Sequence, residues 1–262
     1  MKITASIVTF NSADEIEKLL ASLLKCNLEA ANIYVVDNGS SDGTAEIVRE
    51  KFAGVNIIET GKNIGFGAGH NLALRSVQSD YHIFINPDII VKEGEIEKMA
   101  AYMESRKDVV VMTPKIFNTD GTEQFVPKKR PKFKYIFAGR FENKFKRCYK
   151  LRSEYTLRDV SVTEPTEIDC CSGCFMFCRT SALLRVGGFD ERYFLYFEDA
   201  DLTRELQKYG KAMYVPDCSV THAWHRDVTR SNKARKIALR SMFSYFGKWR
   251  GKKIINTRKI TG

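Results

Sequence analysis

The chain carries three carboxylates within four residues, Glu198, Asp199 and Asp201, directly behind the aromatic run Tyr193-Phe194-Leu195-Tyr196-Phe197. A carboxylate held against aromatic rings loses hydration, and its proton affinity rises toward what a general base needs. The same acids would also suit the first turn of a helix, where the macrodipole favours negative charge, and Leu202 to Tyr209 has a helix-like pattern. A further acid, Asp88, closes Phe84-Ile85-Asn86-Pro87-Asp88 just past a buried strand pattern. Mg2+ and Mn2+ take one or two carboxylates plus the oxygens of a diphosphate, so Asp88 is a candidate ligand, with a cap or turn as its alternative. In Val220-Thr221-His222-Ala223-Trp224-His225, His222 ends an apolar strand pattern and is a candidate metal or phosphate contact.

Two polar, glycine-bearing junctions accompany these groups. In Val35-Val36-Asp37-Asn38-Gly39-Ser40-Ser41-Asp42-Gly43-Thr44, Asp37 ends a strand pattern and can accept from a base N–H or a ribose hydroxyl; an ordinary Asn-Gly turn is the alternative. In Asn63-Ile64-Gly65-Phe66-Gly67-Ala68-Gly69-His70-Asn71, glycines would let backbone N–H groups approach a diphosphate. This second segment is not a Walker A loop, because no Gly-Lys-Ser/Thr follows, and it does not sit after the first strand as a dinucleotide fingerprint would.

The elements that must position these residues alternate in type. Strand patterns cover Ile3–Phe10, Asn32–Asp37, Val55–Glu59, Tyr81–Ile85 and Val109–Thr113. Helical patterns cover Asp14–Lys25, Thr44–Phe52, Glu95–Ser105 and a segment beginning at Asn71, and Gly61–Gly69 reads as a loop. Such alternation predicts an α/β fold with a mostly parallel central sheet flanked by helices, and ligands gather at the carboxyl ends of its strands. From Phe117 to Thr166 the pattern weakens, and the proline-, cation- and aromatic-rich stretch Pro127–Tyr135 predicts a mobile insert or lid. The organisation expected is one domain over 1–225, made of a first half (1–116), a basic insert (117–167) and a second half (168–225), followed by a basic C-terminal segment (226–262). Within that last segment Asn232 to Lys253 reads as a basic amphipathic helix.

Composition narrows the partners. The chain has 262 residues, 44% apolar, and a formal net charge of +10. No apolar run reaches the roughly 18–20 residues that a membrane span needs. The N-terminal Met1–Val8 is a strand pattern and not a signal peptide, which predicts a cytoplasmic protein. Positive charge concentrates in Lys128–Lys150 and Arg226–Lys259, implying an anionic partner. The seven cysteines are an odd number and predict reduced thiols. Cys174-Phe175-Met176-Phe177-Cys178 reads as a buried strand in preference to a zinc site.

Taken in order, these motifs resemble the family 2 glycosyltransferases of the GT-A fold. The resemblance covers roughly Lys2 to His225 and rests on Ile7-Val8-Thr9-Phe10-Asn11, the Asp37 and Gly65-Phe66-Gly67 segments, Asn86-Pro87-Asp88, and Gly187-Gly188-Phe189-Asp190-Glu191 leading into Glu198-Asp199-Ala200-Asp201-Leu202. Within that family the chain looks most like bacterial rhamnosyltransferases of the O-antigen type. The resemblance implies that Thr9, Asn11, Asp37, Asn38, Asn63, Gly65, Phe66, Asn71 and Asn86 form the nucleotide-sugar pocket. It implies that Asp88 and His222 hold Mg2+ or Mn2+, that Asp199 is the base with Glu198 supporting it, and that Gly173 and Cys174 line the acceptor side. Asn86 stands where the commoner Asp-x-Asp motif has its first Asp, which predicts a weaker metal site.

The expectation is therefore an inverting, metal-assisted transfer of a sugar, rhamnose from dTDP-rhamnose, to a lipid-linked saccharide. A β-linked donor would give an α-rhamnoside by single displacement through an oxocarbenium-like transition state. Peripheral contact with an anionic membrane, at the inner face of the cytoplasmic membrane, is expected from the two basic segments. The alternatives are a UDP-hexose donor, a nucleotidyltransferase, a non-catalytic scaffold, and a basic nucleic-acid-binding protein; the chain has no recognised nucleic-acid module, and no nucleic-acid partner is expected.

Overall fold

The computed structural model describes residues 1–125, 128–223 and 232–251. Ten strands form one sheet: β1 (Ile3–Thr9), β2 (Ile33–Asp37), β3 (Asn56–Glu59), β4 (Tyr81–Ile85), β5 (Ile89–Val91), β6 (Val109–Phe117), β7 (Glu123–Gln124), β8 (Thr166–Glu167), β9 (Phe175–Arg179) and β10 (Lys211–His222). Helices α1 (Ala13–Lys25), α2 (Thr44–Lys51), α3 (Phe66–Leu74), α4 (Glu95–Ser105), α5 (Phe133–Phe141), α6 (Lys146–Thr156), α7 (Thr180–Val186), α8 (Glu198–Leu206) and α9 (Asn232–Lys248) accompany it.

The main path of the sheet runs β3-β2-β1-β4-β9-β6-β10-β5, with β7 on β6 and β8 on β10. The first four positions are parallel, as the strand–helix alternation predicts. Beyond β4 the sheet is mixed: β9 lies antiparallel between β4 and β6, and β10 is parallel to β6 but antiparallel to β5. The expectation of a mostly parallel sheet therefore holds for one half only. Because β9 and β10 interleave with strands of the first half, 1–116 and 168–223 share one sheet and one core, in which Ile7, Ile83, Phe84, Phe175 and Tyr214 are fully buried.

Chain order reverses beside β1, which has β2 on one flank and β4 on the other. A crevice opens at such a switch point, outside the carboxyl ends of the strands. Thr9, Asp37 and Asn86 stand there, at or just past the ends of β1, β2 and β4. Helix α1 covers the sheet with Ile16, Leu19, Leu20 and Leu23 buried, the spacing that its sequence pattern predicts.

Three expectations change. Helix α3 begins at Phe66, inside the segment expected to be a loop, because Gly65 turns the chain with φ +99° and the small residues that follow permit close packing. The insert, for which no helical pattern was expected, contains a packed helical pair, α5 and α6; Tyr135 and Tyr155 stack inside it at 5.3 Å, and both are buried. Helix α9 is docked on the catalytic body through Ala234, Ser241, Tyr245 and the following Trp249, all buried. Trp224, His225, Pro127 and the tail beyond Gly251, including the expected helix end at Lys253, lie outside the described residues.

Candidate active site

The acidic run begins helix α8, and the chain enters it under strain. Tyr196 and Phe197 both have left-handed backbones, φ +71° and +69°, a conformation that costs non-glycine residues about 1–3 kcal/mol each. The approach is pinned on both sides: Phe66 N donates to Phe194 O at 2.9 Å, Ser241 Oγ donates to Leu195 O at 2.8 Å, and Asp201 N donates to Phe197 O at 2.9 Å. Gly65 makes the first of these contacts possible, since a Cβ there would lie 2.6 Å from Phe194 O.

Glu198 and Asp199 open into a cavity of about 490 Å³ that also touches Asn86, Gly173, Cys174, Gln124, Arg152 and His222. Asp199 accepts from Gly173 N at 3.2 Å and from Ala200 N at 2.7 Å. Glu198 is buried and its Oε2 has no hydrogen-bond partner. Burial, with the neighbouring charge of Asp199, pushes the Glu198 carboxyl up to about 8. A carboxyl with so raised a proton affinity holds its proton at neutral pH. The aromatic run led to the expectation of a desolvated carboxylate, and Glu198 is that group.

At the edge of this cavity Asp88 and His222 meet, because β5 pairs with β10 so that Ile89 faces His222. Asp88 Oδ1 and His222 Nε2 lie 3.2 Å apart, both buried and both without a hydrogen bond. The amide of Gln124 donates to Asn118 Oδ1 and to His222 O, so its Oε1 accepts from His222 Nδ1 at 3.0 Å. That network makes Nδ1 the donor to Gln124; in the neutral ring the Nε2 lone pair then faces a carboxylate oxygen. Two acceptors aimed at one point fit a cation, and a second partner that fixes the ring tautomer is what metal-ligating histidines have. Among the described residues no group of three or more acidic, histidine or cysteine side chains could hold a metal, so further ligands would come from the substrate.

The nucleotide-sugar residues divide. Thr9, Asn38, Asn63, Gly65 and Phe66 line a second cavity of about 830 Å³. Asn38 Nδ2 donates to Gly65 O at 3.1 Å, and Asn63 Oδ1 accepts from Gly65 N at 3.0 Å, so both also shape the wall. Asp37 stands behind that wall: it accepts from Thr9 Oγ1, Gly39 N and Ser40 N, and it orders the turn. Asn11 accepts from Ser41 N and braces the same turn. Asn71 is not brought to the pocket. Its amide is committed to Phe189, donating to O at 2.8 Å and accepting from N at 2.9 Å. Glycines 67 and 69 press against Phe189 and Val8, close packing in place of the expected diphosphate cradle. Asn86 lines the acidic cavity, and its N–H donates to Cys174 O. Phe66 and Leu195 line both cavities, which therefore adjoin.

Sequence reasoning passed over several groups. Lys233, Ile237 and Arg240 of α9 wall the larger cavity, and Lys128, Arg152 and Thr156 of the insert wall the acidic one. Their charge was noticed, but their position depends on long-range docking. Asp201 was visible as the third acid of the run, and it anchors α9: it is 1% exposed, and it accepts from Lys248 Nζ at 2.6 Å, Trp249 Nε1 at 2.7 Å and Tyr193 Oη at 3.3 Å. Lys248 also reaches Asp190 at 2.9 Å and Glu205 at 3.2 Å. Burial works to lower the Lys248 ammonium; its bonds to Asp201 and Asp190 outweigh that and hold it above its ordinary value.

The family model for glycosyl transferase family 2 matches residues 4–186. The chain belongs to this family. Rhamnosyltransferase WbbL of Escherichia coli K12 is 31% identical over 97% of this chain and 95% of its own length. N-acetylglucosaminyl-diphospho-decaprenol L-rhamnosyltransferase of Mycobacterium tuberculosis H37Rv is 28% identical over 82% of this chain and 74% of its own. Among solved structures, GalNAc-T7 with UDP, GalNAc and Mn2+ superposes with a TM-score of 0.67 at 14% identity, over 96% of this chain and 48% of that one. The fold is GT-A, and the protein is a glycosyltransferase with rhamnosyltransferases among its relatives.

Proposed function

We propose that this glycosyltransferase moves L-rhamnose from dTDP-rhamnose to a lipid-linked saccharide, with inversion at the anomeric carbon. The observation that carries the reading is the junction of the two cavities at Phe66 and Leu195, with Asp199 and the facing pair Asp88 and His222 both at the smaller one. The larger cavity suits a nucleoside. Its neighbour has one acid placed to take a proton.

In the reaction the acceptor hydroxyl gives its proton to Asp199, its oxygen bonds to the anomeric carbon, and the bond from that carbon to the diphosphate breaks. One displacement at one carbon inverts it. A divalent ion held by Asp88 and His222, Mg2+ or Mn2+, would neutralise charge on the leaving diphosphate. Glu198, kept protonated, spares Asp199 a second negative neighbour while it accepts the proton. The choice of rhamnose is supported by the names of both relatives, and that of a lipid-linked acceptor by the name of the Mycobacterium tuberculosis one.

The test is a thermal-shift screen of dTDP-rhamnose, UDP-glucose, UDP-galactose, UDP-N-acetylglucosamine and GDP-mannose, each with and without Mn2+. Stabilisation is expected with dTDP-rhamnose, of about 2.7 kcal/mol at a hundred times Kd. The Mn2+-dependent part is expected to vanish in Asp88→Asn. A preference for a UDP-sugar would overturn the donor and keep the reaction class.

A further inference from the structure

The insert presents an apolar ridge that nothing in the described structure covers. Phe133, Phe137 and Phe141 recur every four residues along α5, and Phe145 follows four residues later. A spacing of four places side chains on one helical face. Phe133 is 55%, Phe137 67% and Phe145 58% exposed. The rings run on from one another, with centroids 5.1 Å apart between Phe137 and Phe141 and 6.4 Å between Phe141 and Phe145. The opposite face of α5 is conventional: Tyr135 and Ala138 are buried against the insert. Leaving three phenylalanines in water is unfavourable, and a contiguous apolar patch rimmed by charge marks an interaction surface.

The rim is cationic. Between residues 132 and 147 stand Lys132, Lys134, Arg140, Lys144, Lys146 and Arg147 against one acid, Glu142, and Glu142 is taken by Arg158 at 2.9 Å. Apolar rings in the middle and cations around them match an anionic bilayer, in which the rings enter the acyl boundary and the cations meet headgroup phosphates. The ridge is also continuous with the site. Phe133 stacks on Phe246 of α9 at 3.8 Å, Phe246 lies 6.4 Å from Phe197, and Phe197 precedes Glu198. Arg152 and Thr156 of α6, the partner helix of α5, line the acidic cavity.

We infer that the phenylalanine ridge of α5 is a membrane-docking surface that seats the enzyme on an anionic bilayer, with the acidic cavity beside the headgroups. This rests on the lipid-linked acceptor proposed above and, of the two basic segments expected to meet the membrane, places the anchor in the insert. Helix α9 is held down by Asp201 and is the ridge's support, although its own Phe243 is exposed beside Phe133.

The test uses the full chain and Phe137→Ser/Phe145→Ser in flotation with vesicles of phosphatidylcholine alone or with phosphatidylglycerol. Wild type is expected to float with the anionic vesicles only, and the variant to bind them about tenfold more weakly or worse. Transfer to a short-chain, water-soluble acceptor is expected to be unchanged, which shows that the variant is folded and that the site is separate. Equal flotation of the two proteins, or no flotation of wild type, overturns the surface. A wild-type dimer that the substitutions dissociate, without any vesicle binding, overturns it in favour of a protein contact. Flotation that the variant loses, in an enzyme that transfers no rhamnose, would leave the surface standing and remove the proposed function.

Discussion

Helix α8 has two faces that treat the same chemical group in opposite ways. On one, Glu198 and Asp199 open into a cavity: Glu198 Oε2 has no hydrogen-bond partner and burial raises that carboxyl's proton affinity, while Asp199 accepts from the backbone N–H groups of Gly173 and Ala200. On the other, two residues further on, Asp201 is enclosed by Lys248, Trp249 and Tyr193, and both of its oxygens are occupied. A buried carboxylate without partners is costly and persists where something else over-determines the structure. Here that something is the opposite face. Asp201 ties α8 to α9, and α9 pins Leu195 through Ser241, so the strained turn at Tyr196 and Phe197 has nowhere to relax. Carboxylates one helical turn apart thus divide into a chemical pair and a structural anchor.

The largest test of this division is Asp199→Asn. Removing the base is expected to lower the transfer rate by about 10²–10⁴-fold, while donor binding by calorimetry and the unfolding midpoint stay close to wild type. Normal turnover would mean that the proton goes elsewhere and that the two faces do not differ in role. Next in size is Asp201→Ala. It removes the acceptor shared by Lys248, Trp249 and Tyr193 and leaves the last two without it in a buried setting; the expected loss is about 3 kcal/mol of unfolding free energy in urea, with weaker donor binding because α9 walls the larger cavity. An unchanged urea midpoint would break the comparison from the other side.

The smallest effect is expected from Glu198→Gln. It mimics the protonated state, so transfer at neutral pH should stay within about tenfold of wild type. Its signature is the pH dependence. The folded carboxyl binds its proton more tightly than the unfolded one, so between 4.5 and about 8 the folded state holds more protons. Wild type should therefore lose stability as pH rises through that window, and Glu198→Gln should not. The stability difference in favour of the variant should grow from pH 5 to 8 and level off above. A difference that is constant with pH would place the shared proton elsewhere.

Much of this was legible in order along the chain. The parallel strands β1 to β4, helices α1, α2 and α4, and the groups Asp88, His222, Glu198 and Asp199 follow from local patterns, because alternation, amphipathic spacing and acids past strand ends are short-range features. Phe66 heading a helix was missed, since Gly67 and Gly69 read as loop formers; their use is contact with Phe189, more than a hundred residues away in the chain, and with Val8, more than sixty away. Asn71 was placed in the nucleotide pocket by resemblance, and the fold spends it on the backbone of Phe189.

The sequence by itself determined the family, the α/β character of the first half and the identity of the acids and histidine that could act, because these depend on residue type and near-neighbour spacing. Only the tertiary structure decided the rest. It set Asp88 against His222 through the β5–β10 pairing, raised the proton affinity of Glu198 by burial, and assigned Asp201 to Lys248 and Trp249. Each of those outcomes depends on burial and on partners supplied by distant segments, and neither is encoded in any local window.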